Sequence, residues 1–318
     1  MNKRKHSPVA APRSSARPSS SEELGHSDKN SGREKPRSDD SKEASTSTKR
    51  RKTRSEPEQN EEGPTPLPCP PSDYLPLALG GRHWRGQRSL RNIVVFGDSY
   101  SKSSGSTWVD YLLKQRRKTD KTARAHNFAS PGATAEDDLA AQTARFFTSF
   151  PKRKTNKPPQ LDPDSTTYLL FLGINDCGAT DADELAPAVE RMVDALHDLY
   201  VRAAARNFVL VDVPPVDRSP QAVSSGCDGE IAERVRMWND LLRAQAAEFA
   251  AGSAHASVIL FSAYTTFADV LDDPEGFDLG EDDPETEGGG FWEDDLHVTE
   301  DMHELLAETL LRHLLPRS

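Results

Sequence analysis

A serine early in the chain and, some two hundred residues later, a histidine with an acid three residues before it are the residue types that nucleophilic acyl transfer needs. Ser99 stands in Ile93-Val94-Val95-Phe96-Gly97-Asp98-Ser99-Tyr100-Ser101, where a β-branched and aromatic run breaks at a glycine. Such a run delivers a hydroxyl at the carboxyl end of a strand. A hydroxyl is a weak nucleophile alone and needs a base. The best candidate is His297, in Glu293-Asp294-Asp295-Leu296-His297-Val298-Thr299. An aspartate three residues before a histidine can curl back and accept the Nδ1 proton, leaving Nε2 for the serine proton. Asp294 would then set the tautomer and stabilise the imidazolium. Asp-x-x-His is a common chance pattern, and this one lies in an acidic run, so its weight comes from Ser99. Acyl transfer also needs donors for the developing oxyanion. Ser99 N–H, Gly132 N–H and the Asn175 side-chain amide are the candidates. Each has a plainer reading: Gly132 as a tight-turn glycine, Asn175 as a turn residue in Gly173-Ile174-Asn175-Asp176.

These residues need elements to bring them together. From Arg91 onward, apolar runs of strand length alternate with segments of helical period, which argues for an α/β fold around a mostly parallel sheet. Strands are expected over Asn92–Phe96, Ala125–Phe128, Thr167–Leu172, Phe208–Val213 and Val258–Tyr264. Trp108, Tyr111 and Leu112 recur at helical spacing, a helix is expected from Leu139 to Phe147, and Pro151–Pro163 reads as a loop. Leu185, Val189, Met192, Val193, Leu196 and Tyr200 form the apolar stripe of another helix, read as core packing. Ile231, Val235, Trp238, Leu242 and Phe249 mark a further one. A short helix is expected near Phe267–Leu271. Thr299 is placed to cap a final helix with Glu300 and Asp301 in its first turn. Ser99, Gly132 and Asn175 each follow a strand, so parallel strands would gather them at one edge of the sheet, where ligands of such folds bind.

Charge is unevenly spread. Residues 1–90 carry 18 basic and 12 acidic side chains, and the rest of the 318-residue chain is strongly acidic. Residues 1–75 hold almost no large apolar side chain and read as a disordered tail, because they cannot bury enough surface to offset their ordering entropy. Residues 76–90 are a linker or edge segment, with Tyr74–Trp84 expected to pack on the domain's edge, and 91–318 form the catalytic domain. The basic block Lys49-Arg50-Arg51-Lys52-Thr53-Arg54 fits a nuclear import signal or nucleic-acid patch, although a solvated charge cluster is the preferred reading. No apolar run follows the charged first residues, and none is long enough to span a bilayer. With three cysteines, Cys69, Cys177 and Cys227, this suggests reduced thiols and an intracellular site, cytoplasmic or nuclear. Cys177 is read as a packed side chain. The acidic stretch Asp272–Asp295 has no regular ligand spacing for a hard cation and reads as a solvated loop that disfavours anionic partners near the catalytic mouth.

Four blocks carry a resemblance: Phe96-Gly97-Asp98-Ser99-Tyr100-Ser101, Asn127-Phe128-Ala129-Ser130-Pro131-Gly132-Ala133-Thr134, Gly173-Ile174-Asn175-Asp176, and Asp294-Asp295-Leu296-His297. In this order, over roughly residues 91–315, they resemble the SGNH (GDSL) hydrolases, most nearly fungal GDSL lipase/acylhydrolases and carbohydrate acetylesterases. The resemblance implies a flavodoxin-like three-layer α/β/α fold with a five-stranded parallel sheet and ester hydrolysis without metal or cofactor. It implies Ser99 as nucleophile, His297 as base, Asp294 as orienter, and Ser99, Gly132 and Asn175 as the oxyanion hole. The chain departs from the pattern at Val298, where proline often follows the histidine. It departs again at Glu293, which separates Trp292 from the aspartate and leaves Asp295 as a rival orienter. Pro131 fixes its own φ beside Gly132. His303 matches a second histidine often seen in the family and is read as structural, inside the last helix. The expected substrate is a short-chain acyl ester, such as an O-acetyl group on a carbohydrate, and the expected state a monomer. The alternatives are a long-chain lipase and a non-catalytic nuclear protein whose basic tail recruits a partner or nucleic acid. Complete blocks argue against the latter.

Overall fold

The computed structural model describes residues 83–151 and 160–315. The expected tail, its basic block at 49–54, Cys69 and most of the proline-rich segment 151–163 lie outside the described residues. Five strands form one parallel sheet: β1 (Asn92–Gly97), β2 (Arg124–Asn127), β3 (Thr166–Phe171), β4 (Asn207–Val211) and β5 (Ser257–Phe261). Their spatial order is β2-β1-β3-β4-β5. Eight α-helices accompany them among the described residues: α1 (Trp108–Thr119), α2 (Leu139–Ser149), α3 (Ile174–Ala179), α4 (Leu185–Arg202), α5 (Pro220–Ser225), α6 (Asp228–Gly252), α7 (Ala263–Asp272) and α8 (Glu300–Leu314).

β3, β4 and β5 are buried along their whole length, as expected of parallel strands covered on both faces. β2, with Arg124 exposed and His126 half-buried, is an edge strand, and its polar composition suits an unpaired side. Helices α1 and α8 pack together, while α2, α4 and α6 form a separate row, giving the three layers. On α4, Leu185, Val189, Met192, Leu196 and Leu199 point into the core and Val193 and Tyr200 pack at its margin. Thr299 Oγ1 caps α8 by accepting from Met302 N–H, with Glu300 and Asp301 in the first turn. Ahead of β1, a 3-10 turn at Gly86–Leu90 and the partly buried Trp84 close the domain's edge.

The strand boundaries differ from the sequence expectation at two places that matter. The last strand stops at Phe261, because Ser262 Oγ accepts from Thr265 N–H and caps α7, so Tyr264 is helical. Gly173-Ile174-Asn175-Asp176 is not an open turn: Asn175 sits in the first turn of α3. Gly173 adopts φ +121, and a side chain there would overlap the Trp238 ring and Val213. Only glycine allows the chain to leave β3 and enter α3 at that angle.

Candidate active site

The reversal of strand order lies between β1 and β3, the switch point of a doubly wound sheet. β1 ends there at Gly97, where a Cβ would stand 2.6 Å from Ser101 Oγ and 2.8 Å from the Phe171 carbonyl. The following turn closes with Ser101 N–H donating to Asp98 O and Lys102 N–H to Ser99 O, at 3.2 Å each. Buried Asp98 braces it, its Oδ1 accepting from Tyr100 N–H at 2.9 Å. Burial raises the Asp98 carboxyl to about 7, with Asp176 nearby adding to the effect. Ser99, half-buried, projects from this turn.

Ser99 Oγ lies 2.8 Å from His297 Nε2. The other ring nitrogen, Nδ1, is 2.8 Å from Asp294 Oδ2 and 3.1 Å from Oδ1. A carboxylate at Nδ1 favours the tautomer with its proton there, so Nε2 is the lone-pair nitrogen facing the hydroxyl. Asp294 is itself fixed, because its Oδ1 accepts from Leu296 N–H at 2.9 Å and His297 N–H at 2.6 Å. Partial burial raises its carboxyl, but the hydrogen bonds from His297 N–H, Leu296 N–H and the imidazole outweigh it, and the net shift is downward. Asp295, the rival, is exposed, and its carbonyl accepts from Gln221 N–H at 2.8 Å.

Most acidic side chains of the loop carrying His297 are exposed, as expected of a solvated loop, but Asp283 and Asp294 brace it from within. Asp283 accepts from Gly280 N–H and Gly290 N–H at 2.7 and 2.8 Å, and these bonds hold its carboxyl below the usual range. Trp292, buried two residues before Asp294, donates through Nε1 to Pro284 O at 2.9 Å. Val298, in place of the proline, is buried and bridges to Trp292. Tyr100 Oη donates to Leu296 O at 2.8 Å, tying the loop to the turn that bears Ser99. His303 lies on α8, buried edge-on against Tyr100 at 6.0 Å. Burial, reinforced by His297, lowers it to about 4.

Gly132 is exposed with φ +74. Its loop is held by Asp176, whose carboxylate accepts from Ala135 N–H at 3.0 Å and Glu136 N–H at 3.3 Å. Asn175 Nδ2 donates to Ala133 O at 3.0 Å, which leaves its second amide hydrogen unspent. Gly132, Asn175 and Leu296 line a cleft of ≈ 340 Å³, with Ile174, Val216 and Ile231 among its apolar walls. None of the residues lining it is ionisable. Cys177 is buried, and burial drives its thiol pKa far up, which suits a packed side chain. Among the described residues no cluster of three or more His, Cys, Asp or Glu is arranged to hold a metal ion, and no helix is long and apolar enough to cross a membrane. Sequence reading missed the supports: Tyr100, Asp176, Asp283 and Gln142, the last of which binds Gly97 from α2. A lone glutamine in an amphipathic helix gives no local signal.

The chain is 24% identical over 271 residues to an acetylesterase from Thermothelomyces thermophilus, covering 70% of this chain and 87% of that protein. Among solved structures it is similar to an acetylxylan esterase from Geobacillus stearothermophilus, at 14% identity and a TM-score of 0.46, covering 75% of this chain and 96% of that one. It is also similar to a carbohydrate acetylesterase from Sinorhizobium meliloti, at 17% identity and a TM-score of 0.42, covering 70% and 96%. The model of the GDSL-like lipase/acylhydrolases matches residues 93–310, from the first strand into the last helix. A match of that extent makes the chain a member of the GDSL-like lipase/acylhydrolase family, an ester-cleaving hydrolase.

Proposed function

We propose that the protein is a serine esterase acting on short acyl esters, with O-acetyl groups on carbohydrates as the substrate class. Ser99 is the nucleophile, His297 the general base and acid, and Asp294 its orienter. Ser99 N–H, Gly132 N–H and the unspent Asn175 amide hydrogen form the oxyanion hole. The observation that carries the reading is the continuous relay from Ser99 Oγ through both nitrogens of His297 to Asp294, with 2.8 Å at each step.

The reaction follows from that relay. Ser99 Oγ attacks the ester carbonyl carbon as Nε2 takes its proton, and the carbonyl oxygen gains charge toward the three N–H groups. Collapse expels the alcohol, which leaves with the proton from His297. Water then attacks the acyl-serine, again giving its proton to Nε2, and releases the acid and free Ser99. An uncharged acyl ester as substrate is supported by the cleft beside Gly132 and Asn175, whose lining carries no ionisable side chain. The acetyl preference is supported by the name acetylesterase borne by the Thermothelomyces relative.

The test is Ser99→Ala. Hydrolysis of p-nitrophenyl acetate and labelling by a fluorophosphonate should both vanish while the melting curve stays in place. Turnover at the wild-type rate would refute the assignment. A ladder of acyl lengths should fall from acetate toward octanoate, and a rise along it would point to a long-chain lipase instead.

A further inference from the structure

We propose that Gln142 is a positioning residue for the nucleophile, holding the turn of Ser99 at a fixed distance from the loop of Gly132. The proposal rests on Ser99 being the nucleophile. β1 and β2 pair as far as Val95 and Asn127, and Phe128 N–H extends the ladder by donating to Val95 O at 2.8 Å. In a regular parallel ladder the next bond would run from Gly97 N–H to the Phe128 carbonyl. Both groups have other partners. Gly97 N–H donates to Gln142 Oε1 at 2.9 Å, and the Phe128 carbonyl accepts from Arg145 Nη2 at 2.5 Å. One residue further the ladder resumes, with Ser130 N–H donating to Gly97 O at 3.1 Å. Gln142 Nε2 donates to that same carbonyl at 2.8 Å.

One side-chain amide therefore satisfies both main-chain groups of Gly97. Gln142 is 1% exposed, and an apolar side chain in its place would leave Gly97 N–H buried without a partner. Arg145, one turn along α2, reaches Ser130 Oγ at 3.0 Å as well as the Phe128 carbonyl. Helix α2 thus holds both lips of the split between the strands. Beyond it one arm carries Ser99, two residues past Gly97, and the other Gly132, two past Ser130. Oxyanion donors act only when aimed at the reacting atom, so the width of this split bears on the rate.

The experiment compares Gln142→Leu, Gln142→Glu and Arg145→Met in the full chain, using p-nitrophenyl acetate kinetics, fluorophosphonate labelling rates and thermal melts. Since misplacement by about 1 Å can cost ~100-fold in rate, Q142L should lose about 10- to 100-fold in kcat. Its KM should stay nearly constant, the midpoint of its pH profile should not move, and labelling should slow in parallel. Q142E, whose carboxyl when protonated both donates and accepts, should recover most of that loss. R145M should fall between wild type and Q142L. Folded Q142L with a lowered melting temperature but wild-type kcat would show a purely structural role and overturn the proposal. If Q142L does not fold, wild-type kcat in both Q142E and R145M overturns it equally, because the Arg145 side chain is exposed and its loss should leave the fold intact. Wild-type turnover by Ser99→Ala would instead strike the nucleophile reading itself, and the proposal with it, whatever Gln142 does.

Discussion

Replacing Asn175 by Ala removes an amide that serves two purposes. One hydrogen ties α3 to the Gly132 loop through Ala133 O at 3.0 Å, and the other is the proposed oxyanion donor. The two losses differ in size. A single protein hydrogen bond contributes about 0.5–1.5 kcal/mol net, worth roughly 2–4 °C per kcal/mol in the melting temperature of a domain this large. The loop keeps its other anchor, since the Asp176 carboxylate still accepts from Ala135 and Glu136 N–H. Losing one oxyanion donor costs about 100- to 1000-fold in kcat. Asn175→Ala should therefore fold with a modestly lowered melting temperature and lose about two to three orders of magnitude in kcat, its KM little changed. Steady-state hydrolysis of p-nitrophenyl acetate at 25 °C beside a thermal melt separates the effects. A folded N175A with near-wild-type kcat would refute the donor assignment. A collapse of the melt would mean that the tie to Ala133, not the oxyanion, dominates.

Asp294→Ala should cost on the order of 10³- to 10⁴-fold in kcat, whereas Asp295→Ala, an exposed change, should stay within about twofold; parallel kinetics decide between the two acids. The Asp294 carboxyl sits below its ordinary range in the fold. The stability it contributes is therefore complete above about pH 4 and is lost as pH falls through the folded value, so D294A should melt with a weaker acid dependence. Asp98 has the opposite sign. With its carboxyl raised to about 7, the folded state keeps a proton that the unfolded chain releases near pH 4, so this residue lowers stability as pH climbs between those values. Asp98→Asn should flatten the melting temperature over that window, and an unchanged slope would refute the shift. Gly173→Ala should destabilise by about 2 kcal/mol or more, from overlap with Trp238 and from the positive φ, as read by urea denaturation.

Strands and major helices were legible because burial on both faces writes continuous apolar runs and one-sided burial writes a helical stripe. The candidate site residues could be picked out because Ser99, Gly132 and Asn175 lie in short motifs just past strand ends and Asp294 and His297 in one just before the last helix. What failed to show was whatever turns on which individual hydrogen bonds and packing contacts the folded chain makes. The extension of α7 back to Ala263 turns on one cap, Ser262 Oγ to Thr265 N–H. The first turn of α3 turns on a glycine whose reason is a tryptophan 65 residues away, at 238. The choice between Asp294 and Asp295 could not be read from spacing, since it depends on which carboxylate the loop's own N–H groups pin. Gln142 acts on main chain 45 residues before it in sequence, and no local pattern marks it.

The hydroxyl and the imidazole are separated by 198 positions in the chain, and the helix that follows the imidazole docks on α1 through Tyr111 and Gln115, bonded to Glu300 and Glu308. A ribosome making this protein must therefore build all five strands of the sheet before the Ser99 hydroxyl can meet the His297 imidazole. If Ser99 and His297 act together as proposed, turnover in a cell-free translation reaction should appear only after the chain has been extended past residue 297, rather than growing with each added strand.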